Sequence, residues 1–364
     1  IGLFAHAYLD RAALRERRGE AGADEDTAEA ESLLRWLLCN ASPWAPPSEA
    51  LLRRFRLDPS LHAAVREPRL KGLGWGYHYP WQDARFYQPA HFPNRVVTCW
   101  IGFAVLRAFE QTGRKRYLDA AREISAFLLK NPKRLVDTAE ELCLSYVPQE
   151  RIRVAVMDVS VLTAAFCARL WQHEEDGPRR ATLQAGAVRL AQFVAARQTE
   201  AGAWFYTWPA RDSHIQHDNY HTAIILDALA DTMEALGTDR WDTAYRAGLA
   251  YYRDELFTPE GAPCWMNGRP LPHDIHGAAS GILCFARAAR YAAARGDDPG
   301  PWLEQARRVE AWTMGHLYEE EGFFYHQRCR WGTRRTCLMR WCNAWMCRAL
   351  AFLRLVETEC SPSG

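Results

Sequence analysis

Apolar residues recur at helical spacing through most of the chain, and pairs of helices alternate with short extended pieces. Each unit is an apolar helix, a second helix and an extended piece such as residues 142–148. The unit repeats with comparable residues at intervals of 62, 62 and 55 positions: Thr98, Ser160, Thr222 and Gly277. Helical hairpins at this period predict a stacked array.

Such an array predicts an all-α fold, an (α/α)5-6 toroid in which a barrel of helical hairpins is separated by short β-hairpins or extended pieces. The N-terminal helices and a last helix near Arg340 bring the count to five or six hairpins. Closing the ring buries both terminal faces, whereas an open solenoid, the alternative, needs polar caps. We therefore expect one toroidal domain over residues 1–364, with N-terminal helices and a connection in 1–71 and the repeats in 72–364.

Three stretches before the repeats lack a helical pattern. Residues 19–31 are acidic and have no apolar face, which predicts a mobile connection. Prolines interrupt residues 42–71 repeatedly. Residues 72–94 are rich in glycine and aromatic side chains and predict a long loop, a kind of segment that is usually functional or a lid.

Two predicted helices open with an unusual density of ionisable side chains. The sequence HDNYHT at 217–222 precedes one apolar helix, and PHDIHG at 272–277 precedes another. The inner helices of a toroid all run the same way, so their starts gather at one end of the central cavity, where free N–H groups favour an anion. The two openings therefore predict one shared site.

The candidate residues lie at these helix starts or in the aromatic extended pieces. The acid–base candidates are His221, His276, Asp218, Asp274, Tyr77 and Tyr220. The substrate-binding candidates are Asn94, Thr98, Asp158, His217, Asn219, His273, Arg340, Asn343, Trp75, Trp204 and Trp265. Aromatic faces beside carboxylates and imidazoles suit a sugar. Each signal has a structural alternative, since the aspartates could be only N-caps and the histidines only core residues.

Composition narrows the classes of partner. Lys+Arg number 45 against 44 Asp+Glu, so the chain carries no electrostatic signal for nucleic acid or an anionic membrane. No apolar run reaches the roughly 18 residues of a membrane helix. The expected partner is an oligosaccharide or polysaccharide.

The 11 cysteines are odd in number and lie mostly in apolar helical stretches, which predicts reduced thiols in a cytoplasmic protein. No signal peptide is visible, but the sequence does not begin with Met, which leaves open the removal of a leader. The cysteines near the C-terminus lack the spacing of a zinc site, and no nucleotide, metalloprotease or serine-hydrolase motif is present. We expect neither a metal nor a cofactor.

Six motifs together resemble a known group: GWGYHYPWQD, FPNRVVTCWIGFAVLRAFEQTGRKRYLDAAREISAFLL, LCLSYVP, HDNYHTAIILDAL, PHDIHGAASGIL and MRWCNAWMCRALAFL. The chain from Gly72 onward resembles α/α-toroid polysaccharide-biosynthesis proteins, and its fold is distantly similar to glucuronyl C5-epimerase catalytic domains and other toroidal carbohydrate-active enzymes. The resemblance implies a glycan context. The group tends to carry Asn-x-Asn at the second helix start, where this chain has Asp158 and Ser160.

The leading hypothesis is an enzyme that acts on an acidic, uronate-type glycan by proton abstraction, as a C5-epimerase or a lyase. Arg340, Asn219 and the helix starts would hold the carboxylate. His221 or His276 would be the base, and Tyr77 or Tyr220 the opposing proton donor.

Three alternatives stay open. A glycoside hydrolase would use Asp218 and Asp274, with Asp83 in reserve. A non-catalytic glycan-binding subunit of a polysaccharide assembly complex would keep the aromatic lining alone. A zinc toroid enzyme of the lanthionine-cyclase type is a third, because HGAASGIL is similar to the repeats of those enzymes.

Overall fold

The computed structural model describes residues 1–58, 66–82, 85–175 and 177–361. Its helices are α1 (Gly2–Arg18), α2 (Ala23–Cys39), α3 (Glu49–Arg54), α4 (Arg95–Thr112), α5 (Lys115–Lys130), α6 (Met157–Gln172), α7 (Pro178–Ala195), α8 (Asn219–Leu236), α9 (Asp242–Glu255), α10 (Ile275–Ala293), α11 (Gly300–Leu317) and α12 (Ala344–Cys360). A π-helical turn, Met339–Asn343, leads into α12.

Short strands connect the helices: β1 (Trp81–Gln82), β2 (Tyr87–Gln88), β3 (Arg134–Asp137), β4 (Leu142–Leu144), β5 (Ala155–Val156), β6 (Thr207–Trp208), β7 (His273–Asp274), β8 (Tyr318–Glu319), β9 (Phe323–Phe324), β10 (Gln327–Cys329) and β11 (Gly332–Arg334). They pair as β1–β2, β3–β4, β5–β6 and β8–β9, and β10 lies between β7 and β11.

Six helices form a closed inner ring in the order α1, α4, α6, α8, α10, α12, and α12 packs back against α1. Helices α2, α5, α7, α9 and α11 each pack on the outside of the inner helix that precedes them. The prediction of an all-α toroid is confirmed, with five complete hairpins and a sixth inner helix in the described chain. None of the described helices combines the length and apolar composition that crossing a membrane requires.

Glycines allow the inner helices to pack closely against their neighbours. A Cβ atom at Gly281 would lie 2.5 Å from the ring of Phe257, and one at Gly102 would lie 2.7 Å from the ring of Phe166. Because both phenylalanine rings belong to the buried core, any residue larger than glycine at these positions would push the inner helices outward.

The expectation of a mobile connection at residues 19–31 is wrong, since α2 begins at Ala23. The acidic residues are fixed by arginines of neighbouring helices. Asp26 accepts a hydrogen bond of 2.8 Å from Nε of Arg11, and Glu31 accepts one of 3.0 Å from Arg116. The periodicity of apolar residues does not detect the first part of α2, because ion pairs rather than apolar contacts hold it in place.

The loop at residues 72–94 is non-helical, as predicted, and carries the β1–β2 hairpin. Asp83 lies outside the described residues.

Ion pairs connect acidic and basic side chains of neighbouring inner helices. Asp10 of α1 lies between its two neighbours in the ring and binds Arg348 of α12 and Arg107 of α4, the latter at 3.0 Å. Asp231 of α8 lies between Arg287 of α10, at 3.3 Å, and Arg169 of α6, at 3.9 Å. Each aspartate therefore joins three adjacent inner helices.

These two triads line a cavity of about 610 Å³, together with further acids and arginines and with His6. His6 is buried, and burial together with four surrounding arginines lowers its pKa well below the ordinary value. We call this the paired end of the toroid.

Candidate active site

A second cavity, of about 540 Å³, opens where the inner helices begin. All six inner helices contribute to its lining, together with Trp36 of α2, the 72–94 loop and the turn before α12. We call this the helix-start end.

His221 is fixed at the start of α8 by Asp218. The Asp218 carboxylate caps the helix by accepting a hydrogen bond from the His221 backbone N–H at 3.3 Å, and it lies 2.9 and 3.0 Å from Nδ1 of the ring. Burial alone lowers the pKa of His221, but the negative charge of Asp218 outweighs it and raises the pKa above the ordinary value. Nε2 is left as the nitrogen available to a ligand.

His276, at the start of α10, is surrounded by aromatic rings. Its ring centroid lies 4.6 Å from Tyr220, 4.3 Å from Trp341 and 4.4 Å from Trp345. Neither ring nitrogen has a hydrogen-bond partner in the described structure. Burial lowers the pKa of His276 to about 3, so the imidazole is neutral at physiological pH.

Tyr220 separates the two imidazoles. Its ring centroid lies 4.1 Å from that of His221 and 4.6 Å from that of His276. Burial raises the pKa of Tyr220 well above the ordinary value, so its hydroxyl keeps its proton. One wall of the cavity therefore carries two unlike histidines: His221 takes up a proton readily, whereas His276 does not.

Asp158, the second residue of α6, contributes a carboxylate to the same cavity. The residue is 3% exposed, and its Oδ1 has no hydrogen-bond partner in the described structure. Burial raises the pKa of Asp158, and the nearby charge of Asp218 adds to this, although His221 opposes it.

Arg340 supplies a cation from the turn before α12. Its guanidinium carbon lies 5.2 Å from the ring of Tyr77, 5.7 Å from that of Tyr79 and 5.7 Å from that of Trp341. In the described chain no acidic side chain forms an ion pair with it, so its charge is available to an anionic ligand. Burial raises the pKa of Tyr77, although Arg340 opposes this.

Seven of the sequence-predicted residues line the cavity together: His221, His276, Tyr77, Tyr220, Asp158, Arg340 and Trp75. Asp218 and Asp274 do not line it, because both stand behind other residues. Asp274 caps α10 through the His276 N–H at 2.8 Å and accepts a hydrogen bond of 2.9 Å from Nε1 of Trp341. Burial would raise the pKa of Asp274, but hydrogen bonds from His326 and Gln327 hold it below the ordinary value.

Four other polar candidates are bound to the protein framework outside the cavity lining. Asn94 caps α4 through the Val97 N–H at 2.9 Å, and the Thr98 hydroxyl accepts a hydrogen bond of 3.0 Å from the Trp75 N–H. Asn219 donates to the Leu256 carbonyl at 2.7 Å. The Asn343 side chain accepts a hydrogen bond of 2.9 Å from the Phe324 N–H.

The remaining candidates also lie outside the cavity lining. His217 packs on Phe205 at 4.6 Å, and Nδ1 of His273 lies 2.9 Å from the Pro263 carbonyl. Trp204 is a core residue whose Nε1 donates to the Val194 carbonyl at 2.9 Å. Trp265 meets the site only through its backbone, since its carbonyl accepts a hydrogen bond from the Asn219 N–H.

Sequence reasoning did not name several residues that line the cavity: Trp36, His78, Trp100, His214 and Trp345. Two signals could have found some of them. His78 lies between Tyr77 and Tyr79 in the loop already marked as functional, and Trp345 lies one helical turn after Trp341.

Two findings bear on metals and cysteines. Among residues 1–58, 66–82, 85–175 and 177–361, no group of three His, Cys, Asp or Glu side chains lies close enough to hold a metal ion. The 11 cysteines are free thiols, several of them buried in inner helices.

No family model matches the chain. No curated protein matches it either. Solved structures do share its fold. A glycoside hydrolase family 76 α-mannanase from Bacteroides thetaiotaomicron is 13% identical with a TM-score of 0.64, over 97% of this chain and 84% of that one. A cellobiose 2-epimerase from Bacillus thermoamylovorans is 11% identical with a TM-score of 0.65, over 98% and 87%.

A third neighbour is an inactive variant of an α-1,6-mannanase from Salegentibacter sp., in complex with α-1,6-mannotriose. It is 11% identical with a TM-score of 0.58, over 99% of this chain and 90% of that one. At these identities the likeness shows the toroid fold alone. The three neighbours are mannanases and a sugar epimerase rather than glucuronyl C5-epimerases, so they support the resemblance only in its toroid fold.

Proposed function

We propose that this protein is a carbohydrate-active enzyme that moves a proton at the carbon next to the carboxylate of an acidic sugar, in C5 epimerisation or elimination. The observation that carries the proposal is the pair of unlike imidazoles, His221 and His276, on either side of Tyr220 in one cavity. Sugar epimerisation occurs on this fold, as the cellobiose 2-epimerase shows.

His221 is the base. The Asp218 carboxylate accepts a hydrogen bond from Nδ1–H of His221. Nε2 therefore carries the free electron pair, faces the substrate and can take the proton from C5. Because Asp218 raises the pKa of His221, the imidazolium that forms is stabilised at the moment it is needed.

The electron pair left at C5 moves into the substrate carboxylate, and three groups stabilise the resulting charge. Arg340 lines the cavity and has no acidic partner among the described residues. His276 is neutral and offers an N–H, and Asp158, whose pKa burial raises, offers an O–H when it carries a proton. Tyr77, on the 72–94 loop, is assigned as the proton donor from the opposite face, which completes epimerisation. In elimination, the substituent at C4 leaves instead.

Hydrolysis by a pair of carboxylates is less well supported. Such a mechanism needs two carboxyl groups on the cavity surface. Among the described lining residues Asp158 supplies the one carboxylate, and its sequence neighbours are Met157 and Val159. By contrast, the inactive mannanase variant has two consecutive aspartates replaced by asparagine.

The test is incubation of the protein with a panel of uronate-containing oligosaccharides in deuterated water. Epimerisation would place deuterium at C5, and elimination would give an unsaturated product. A new reducing end without unsaturation or deuterium would show hydrolysis and overturn the proposal. Binding of the panel with no product of any kind would identify a glycan-binding subunit.

A further inference from the structure

Residues 326–340 concentrate positive charge beside the mouth of the helix-start cavity. This segment contains five arginines and no Asp or Glu, in a chain whose net charge is only +1. All five are exposed, and the described structure shows none of them in an ion pair: Arg328, Arg330, Arg334, Arg335 and Arg340.

Exposed arginines on the outer helices behave differently. Arg246 binds Asp242 at 2.7 Å, Arg253 binds Asp254 at 2.7 Å, and Arg308 binds Glu304 at 2.7 Å. Residues 326–340 therefore place five arginines without an acidic partner close together in the chain. The acid in direct contact with the segment is Asp274, which accepts a hydrogen bond from Gln327 rather than from an arginine.

The arginines are presented by the β10–β11 hairpin. Arg328 donates to the Thr333 hydroxyl across the two strands at 3.0 Å. At the tip, Trp331 is 89% exposed, and the Arg330 guanidinium carbon lies 4.9 Å from its ring centroid. An exposed tryptophan with a guanidinium against one face offers its other face to a flat ligand surface.

The hairpin is joined to the active-site wall. Strand β10 pairs with β7, and Nε2 of Gln327 donates at 2.7 Å to Asp274, the residue that caps α10 beside His276. After β11 the chain runs through exposed residues to Met339 and Arg340, both of which line the cavity. The positive surface is thus continuous with the cavity.

We propose that residues 326–340 bind an anionic polysaccharide chain whose reacting sugar occupies the helix-start cavity. Guanidinium groups bind carboxylate or sulfate groups through paired N–H donors, and Trp331 stacks on the C–H face of a sugar ring. The identity of the reacting sugar rests on the proposed function, whereas binding of the chain does not.

A glycan fits better than a nucleic acid or a membrane. The basic patch ends at an open cavity of about 540 Å³ that is lined by imidazoles and aromatic rings, which suits a chain threaded from the surface into a site. Outside this segment the acidic side chains outnumber the basic ones, so the rest of the chain offers no excess of positive charge to a nucleic acid or a membrane.

The experiment measures equilibrium binding of oligogalacturonates of two and ten units to four proteins. One is wild type. One is the hairpin variant Arg328→Gln/Arg330→Gln/Arg335→Gln, which keeps Arg334 because that side chain binds Gln327 at 2.9 Å. The third is the matched control Arg246→Gln/Arg253→Gln/Arg308→Gln, which removes the same charge from outer helices. A fourth protein, Trp331→Ala, tests the stacking separately.

We expect the ten-unit chain to bind wild type and control about tenfold more tightly than the two-unit chain, and raised salt to reduce this advantage. The hairpin variant should lose about tenfold affinity for the long chain, because it lacks three exposed ion pairs that each contribute modestly. Its affinity for the short one should stay unchanged. Trp331→Ala should show the same pattern with a smaller loss.

Equal losses in the hairpin variant and the control would overturn the inference, and so would equal affinity of wild type for both lengths. Tighter binding of duplex DNA, or of vesicles containing phosphatidylserine, would also overturn it. Binding is measured without turnover, so the two proposals fail separately. Long acidic chains that bind but never react would contradict the proposed function alone, and short acidic chains that react without any length preference would contradict this inference alone.

Discussion

The two ends of the toroid are built from the same helices, and both contain buried ionisable groups. At one end these groups are paired with each other, and at the other end some of them have no partner. At the paired end, Asp10 and Asp231 each bind arginines from two neighbouring helices. At the helix-start end, Oδ1 of Asp158 and both ring nitrogens of His276 have no partner in the described structure. Buried groups without a partner cost free energy of folding, so their presence indicates a use other than stability.

This comparison gives each end a different expected response to substitution. At the paired end, substitutions should change stability and leave chemistry alone. At the helix-start end, they should change chemistry and leave stability alone or improve it.

The largest expected effect is on turnover. Replacing His221 with Gln removes the base, and kcat should fall about 10²- to 10⁴-fold. The matched control is His6→Gln, which alters a buried histidine at the paired end and should leave kcat of the folded protein within about twofold of wild type. Steady-state kinetics on samples matched for melting temperature makes the comparison. Equal losses in both variants would remove the distinction between the ends.

The next effect is on stability. Asp10→Asn leaves the buried Arg348 and the half-buried Arg107 without their shared carboxylate, and the free energy of unfolding should fall by about 3–5 kcal/mol. Asp158→Asn keeps the shape of a side chain whose Oδ1 has no partner in the described structure. It should change stability by less than about 1 kcal/mol while lowering kcat about 10²-fold. Denaturant unfolding measures the stability of each variant, and steady-state kinetics on the same preparations measures kcat. A large stability loss in Asp158→Asn would show that its carboxylate is structural.

A smaller effect concerns His276. In His276→Phe an aromatic ring replaces two unpaired nitrogens, and stability should rise by about 1 kcal/mol. The wild-type protein should also lose stability as pH falls below about 6.5, because His276 takes up a proton in the unfolded chain there but in the folded chain only near its lowered pKa of about 3. Melting temperatures from pH 8 to pH 5 should fall less steeply for His276→Phe than for wild type. Identical slopes would show that His276 finds a partner in solution.

The smallest expected effect is a shift in the pH dependence of activity. A base works only when deprotonated, so kcat/KM should fall as pH drops through the pKa of His221, which Asp218 holds above the ordinary value. Asp218→Asn removes the negative charge, so the acid limb of the profile should move to lower pH. An unmoved limb would assign the titration to another group.

The sequence predicted the fold well because the helical period and the repeat spacing both report on it directly. It predicted the shared cavity from two helix openings, since the inner helices of a toroid start at one end. It did not show which residues of each helix opening face the cavity and which point away from it. Asp218 and His221 lie in the same motif, and only the direction of each side chain at the helix start decides which faces the cavity.

Arg340, at the start of the last inner helix, was named from the sequence, but the direction of its side chain was not predictable. The π-helical turn at Met339–Asn343 sets the direction of Arg340 and Trp341, and no pattern in the sequence marks such a turn. Tyr220 was named as a proton donor, but its place between two imidazoles depends on the spacing of α8 and α10.

The most direct test of the central claim is the fate of a deuterium placed at C5 of a uronate oligosaccharide substrate. If the unpaired groups at the helix-start end move that proton, wild type should release the deuterium to water with a primary isotope effect on kcat, and His221→Gln should release it at least about 10²-fold more slowly. Product formation with the deuterium retained at C5 would contradict the account.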